Sequence, residues 1–135
     1  MILVSPLKRA IQTAMCISEK VKVPINIEER LIERSFGKME GRKNTDDCNI
    51  KMMLDYEKNY TMYDIEPIQS LFERIYRFLD ELIEKYSEKK ILLVTHGAVS
   101  QAIECYFNGK PDIMDFEHLE KLTLKNCEVR KYVKG

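Results

Sequence analysis

The chain has few residues that interrupt or cross-link a backbone: 5 glycines, 4 prolines and 4 cysteines in 135 residues. So few breakers among abundant Ile, Leu, Val and aromatic residues argue against a disordered chain. Charge of a single sign is also lacking, because 22 Lys and Arg are balanced by 22 Asp and Glu. Generic binding to nucleic acid or to an anionic membrane needs a surplus of positive charge, so neither is expected as a partner. Long hydrophobic runs are missing too. The longest, such as Ile91 to Val94, fall far short of the roughly 20 apolar residues of a membrane-spanning helix.

Cys16, Cys48, Cys105 and Cys127 show no C-x-x-C spacing, and the two histidines do not complete a zinc set. The N-terminal MILVSPLKRA has no positive region before its short apolar stretch, so no secretory leader is expected. The expectation is a cytoplasmic protein with reduced thiols, in which the sequon Asn59-Tyr60-Thr61 carries no glycan. Length alone allows one domain.

What is present alternates between strand-like and helix-like patterns. Residues 1–4 are unbroken apolar residues, as in a buried parallel strand. Ser5-Pro6 reads as a helix start with Ser5 as its cap, and Leu7, Ala10, Ile11, Ala14, Ile17 and Val21 recur at helical spacing. Pro24 ends that helix, and Ile25 and Ile27 suggest a short strand. Residues 29–45 read mostly as loop, and 46–64 as one or two short helices. A long amphipathic helix follows, with Ile68, Leu71, Phe72, Ile75, Phe78, Leu79, Leu82 and Ile83 on one face. ILLVT at 91–95 is a second buried strand, Ala98 to Phe107 a helix, and 122–133 one or two closing strands. Strands alternating with helices predict an α/β fold with a mostly parallel sheet.

In such sheets ligands bind beyond the carboxyl ends of the strands, where helix N-termini offer free amides to anions. The first strand delivers Ser5 to such an end, with Arg9 one turn later; the second delivers Thr95, His96 and Gly97. An arginine and a histidine at adjacent strand ends make a compact anion site. Taken singly, Arg9 and Glu33 also read as solvated surface residues, and His96 as a hydrogen-bonded core residue.

The segments SPLKRAIQTA (5–14), LIERSFGKMEG (31–41) and LLVTHGAVSQAI (92–103), in that order, closely resemble the histidine phosphatase superfamily, with its three-layer phosphoglycerate mutase-like fold. The helix SLFERIYRFLDEL (70–82) adds to the likeness, which runs almost the length of the chain. The resemblance implies phosphomonoester hydrolysis through a phosphohistidine, on a small phosphorylated metabolite, with no metal or organic cofactor. Arg9 and His96, with Gly97, would bind the phosphoryl group. Glu33 would be the acid that protonates the leaving oxygen. Ser5 is read as a helix cap rather than a participant. Residues 46–64 match the family's substrate-covering segment.

The family's nucleophile lies in an Arg-His-Gly motif on its first strand, and that motif is absent from these residues. His118, in DFEHLEKL, lies outside any such context. The resemblance therefore predicts a single incomplete domain over 1–135, missing its first strand and helix, with impaired turnover and exposed sheet edges. Three readings stay open: an N-terminally truncated enzyme, a phosphate-binding regulatory protein without catalysis, and a self-associating structural module. Gln101, where the family commonly has arginine, and Ile68-Gln69-Ser70, in place of Gly-Glu-Ser, weaken assignment to a mutase or to one particular phosphatase, while the short chain and the missing Gly-Glu-Ser lean towards phosphatase. The exposed edge predicts homodimerisation by strand exchange. Light scattering on a size-exclusion peak at micromolar concentration is expected to return more than one copy, and a stable monomer would count against it.

Overall fold

A computed structural model describes residues 1–41 and 47–134, with the backbone alone at 47–49. Its centre is β1 (Ile2–Val4), flanked by β2 (Ile25–Ile27) and β3 (Leu92–Val94) in the order β2-β1-β3. Both pairings are parallel, and Val4 lies opposite Ile27 on one side and Val94 on the other. Parallel strands need crossovers, and the intervening helices supply them while covering both faces.

The two-residue period of β1 decides which helix each face meets. Ile2 and Val4 pack against α1 (Lys8–Val21), where the small side chains of Ala10 and Ala14 let the helix come close. Leu3 points the other way, into a larger core built on α3 (Ile68–Lys85) and α4 (Gly97–Asn108). The result is an α/β structure with helices on either side of a parallel sheet. Helix α3 buries Ile68, Leu71, Phe72, Ile75, Phe78 and Leu79, the spacing that the sequence predicts. At about 1.5–3 kcal/mol per fully buried large side chain, this stripe is a major source of stability. Tyr56, Phe72, Tyr76, Tyr106, Phe107 and Tyr132 continue the core as an unbroken run of ring contacts.

Three sequence expectations need correction. Helix α1 begins at Lys8, not at Ser5-Pro6, and Leu7 occupies its cap position. The Ser5 N–H is taken by the Val94 carbonyl at 3.0 Å, so strand pairing runs on through Ser5 and delays the helix. Val21, placed on the apolar stripe, is exposed at the helix end. The closing strands expected within 122–133 do not form. The Leu124 N–H goes to Ser100 Oγ rather than to a ladder, Cys127 has φ 63°, and Val129 and Val133 are exposed. Alternation without a sheet edge to join leaves extended chain. Short helices α2 (Asp47–Met53) and α5 (Phe116–Glu120) and three 3-10 turns, at Glu29–Leu31, Gly37–Met39 and Met62–Asp64, complete the described elements. Of the expected loop 29–45, residues 42–45 lie outside the described residues, as does 46 of the expected covering segment.

The loop after Glu33 is held by a close backbone approach. Gly37 sits at φ +51° beneath Tyr63 and Asp64, and a Cβ there would lie less than a bond-free contact from their backbone, 2.3 Å from the Tyr63 carbonyl oxygen. Tyr63 and Asp64 themselves have φ near +59° and +56°. Gly41 also has positive φ, +73°, but nothing lies within 4 Å of the added atom. Gly41→Ala is therefore expected to cost about 1–2 kcal/mol of conformational strain in urea denaturation. Gly37→Ala is expected to cost roughly 3 kcal/mol or more, because backbone must also move. Equal losses would refute the close-contact reading.

Candidate active site

The site forms where β1 and β3 end side by side. Because the two strands are parallel and in register, Ser5 and His96 emerge at the same end of the sheet. His96 Nε2 lies 2.7 Å from Ser5 Oγ, a contact between residues 91 positions apart. His96 occupies the cap position of α4, so the first amides of that helix, which lack intrahelical partners, follow it directly.

Glu33 reaches this point from the other side of the chain. Its Oε1 accepts the Arg34 N–H at 2.9 Å, and its Oε2 accepts the Ala98 N–H at 3.3 Å, one residue into α4. A carboxylate on a helix N-terminus satisfies an otherwise free donor and complements the helix dipole. Thr95 Oγ1 donates to the Leu31 carbonyl at 2.7 Å, tying the end of β3 to the segment that carries Glu33. Gly97 is tightly placed: a Cβ there would stand 3.2 Å from the Thr123 methyl and 3.9 Å from Glu33 Oε2. Thr123 in turn accepts from Gln101 Nε2 at 2.7 Å.

Arg9 sits exposed in the first turn of α1, and its charge reaches His96. His96 protonates less readily than an ordinary histidine. Burial is the main cause, Arg9 adds to it, and Glu33 works in the opposite direction. The ring is therefore neutral near pH 7. The structure thus gathers Ser5, Glu33, His96 and Gly97 at one strand end, with Arg9 in the first turn of the helix that follows β1, whereas His118 is engaged elsewhere, its Nδ1 2.5 Å from Asp115 Oδ1.

Sequence reasoning missed two participants. Ser5, read as a helix cap, is fully buried against His96, and its Oγ also accepts the Leu7 N–H at 3.3 Å. Arg34, unremarked in the sequence, is 2% exposed. It donates to the Glu66 carbonyl at 2.7 Å and to the Met53 carbonyl, and its ring-like guanidinium lies over Phe36. Burial pulls its pKa down to about 10, against the opposing pull of Glu66 and Glu33, so it stays charged at neutral pH. No sequence signal separates such an arginine from its exposed neighbours. Among the described residues, no three His, Cys, Asp or Glu side chains converge as a metal site would need.

The pH behaviour of His96 carries a sign that can be checked. Its folded-state pKa lies below the ordinary 6.5, so the unfolded chain binds the proton more readily. Stability from the neutral ring is present above the unfolded value and is lost as pH falls through the folded one. Urea denaturation of the wild type is expected to show a steeper loss between pH 7 and pH 5 than that of His96→Gln. Parallel curves would rule out a perturbed His96.

Comparison with known proteins shows the family of the chain. The sequence profile of the histidine phosphatase superfamily (branch 1) matches residues 1–133. An uncharacterized phosphatase, PhoE, of Bacillus subtilis is 30% identical over 130 residues, covering 94% of this chain and 63% of its own length. The alpha-ribazole phosphatase of Shigella flexneri superposes with a TM-score of 0.64 at 26% identity, over 88% of this chain and 59% of that one. A mycobacterial glucosyl-3-phosphoglycerate phosphatase solved with inorganic phosphate shares the fold, with a TM-score of 0.69 at 19% identity, over 82% of this chain and 59% of that one. The chain thus spans less than two thirds of the length of these relatives.

Proposed function

The chain belongs to the histidine phosphatase superfamily, branch 1, and from that premise we propose that its strand-end cluster is a phosphomonoester site. The observation that carries the proposal is the convergence of His96, Glu33 and the first amides of α4 at the carboxyl ends of β1 and β3, with the charge of Arg9 bearing on the same ring. In this reading Arg9 takes the phosphoryl oxygens through charged hydrogen bonds, and neutral His96 donates one more. The N-terminus of α4 at Gly97 adds its positive dipole end to the hold on the same oxygens. Glu33, in its protonated form, gives its proton to the leaving oxygen as the P–O bond breaks and is left as the carboxylate. The substrate class is a small phosphorylated metabolite, and residues 46–64 are its covering segment.

The covalent half of the family's chemistry has no counterpart in these residues, since the sequence holds no Arg-His-Gly. Removing a covalent nucleophile costs on the order of a millionfold in turnover in other covalent enzymes. A polypeptide of these 135 residues is accordingly proposed to bind phosphate while hydrolysing esters near background. This favours the phosphate-binding reading for the isolated chain over a purely structural module, because the anion-directed groups remain assembled.

Vanadate or phosphate titration followed by calorimetry tests the binding half. Arg9→Ala is expected to weaken affinity by about 10–100-fold, the worth of one charge-assisted contact. Unchanged affinity would make Arg9 a surface residue and sink the proposal. An aryl phosphate assay tests the rest: hydrolysis well above background that persists in His96→Ala would refute the roles assigned here.

A further inference from the structure

Resting on the phosphate-site reading, we propose that Ser5 is a positioning residue that sets the tautomer of His96, holding the ring as the Nδ1–H form so that its free N–H faces the ligand side. The argument is a count of donors and acceptors around one buried hydroxyl. Ser5 is wholly inaccessible to solvent, and its Oγ has two described partners, the Leu7 N–H at 3.3 Å and His96 Nε2 at 2.7 Å. The Leu7 amide can only donate, so it occupies a lone pair of the oxygen. The hydroxyl hydrogen then needs an acceptor, and the imidazole nitrogen is the one in reach. Were Nε2 to carry its own hydrogen, two donors would point at Oγ and the hydroxyl hydrogen would be buried without a partner, an arrangement that native interiors avoid.

Nothing about Ser5 is free to adjust. Its N–H is locked to the Val94 carbonyl at 3.0 Å, and the residue continues the strand directly into Pro6. The hydroxyl is thus delivered by the sheet, while the ring is delivered by the strand paired with it. Charged groups that face the ring come from other elements, Glu33 from the loop after β2 and Arg9 from α1. Neither is hydrogen-bonded to a ring nitrogen, so among the described contacts Ser5 alone discriminates the two tautomers. The consequence for binding is directional. A neutral histidine offers one N–H, and Ser5 decides that it is the one turned away from the sheet.

Long-range proton–nitrogen NMR correlation separates protonated from unprotonated ring nitrogens, and His118→Gln leaves the spectrum of His96 alone. The wild-type ring is expected to be protonated at Nδ1 near pH 7.5, and a ring protonated at Nε2 overturns the proposal without any variant having to fold. Ser5→Ala is expected to release the ring towards the Nε2–H form and to weaken vanadate binding by about 10-fold, the worth of one hydrogen bond to a charged group. Ser5→Thr, which keeps the hydroxyl, is expected to restore both. An unchanged tautomer in Ser5→Ala refutes the lock. An Nδ1–H ring in a wild type that binds no vanadate supports the lock and refutes the phosphate site, so the two failures are distinguishable.

Discussion

The parallel pairing of β1 with β3 is the constraint on which the other features depend. Two three-residue strands, fully apolar and in register, bring Ser5 and His96 to the same end of the sheet from opposite ends of the chain. The ladder runs one bond past the strand, through the Ser5 N–H to the Val94 carbonyl. That bond delays α1, buries the serine hydroxyl and brings it against the imidazole. Helix packing supplies the stability behind this arrangement: α1 on one face through two alanines, α3 and α4 on the other through large apolar side chains.

Around that strand end, charge is distributed so that the histidine is kept neutral while cations remain nearby. Burial and Arg9 both disfavour the imidazolium, and Glu33, which favours it, has each of its oxygens engaged by a backbone N–H. The second arginine, Arg34, serves a different purpose. It bridges the Met53 and Glu66 carbonyls from within the protein, tying the residues after Glu33 to the segment over Gly37. One arginine is thus exposed in the first turn of α1 and the other is a buried brace, two residues of one type separated by environment alone.

Much of the architecture was legible because it follows from short-range patterns. Unbroken MILV and ILLV runs could only be buried strands in an α/β chain, and the α3 stripe from Ile68 to Leu79 has one helical reading. Arg9, Glu33 and His96 became candidates for another reason: their surrounding segments resemble a family whose profile matches residues 1–133. Where the reading failed, a non-local partner decided. Ser5-Pro6 has good helix-start chemistry, yet the carbonyl of Val94 competed for the Ser5 amide and won. Leu122, Leu124, Val129 and Val133 alternate like a strand, but a strand exists only where a neighbour offers its edge.

Sequence by itself determined the α/β class, the positions of the main strands and helices, the family and the candidate residues Arg9, Glu33, His96 and Gly97. These follow from periodicity and local motif, which need no knowledge of what lies across the fold. Tertiary structure alone decided that Ser5 faces His96, that Glu33 caps α4 through the Ala98 amide, that Arg34 is buried, and that 122–133 does not pair. Each of those is a competition for one hydrogen-bonding group or one patch of buried space among residues 19 to 91 positions apart, and only the folded chain sets their distances.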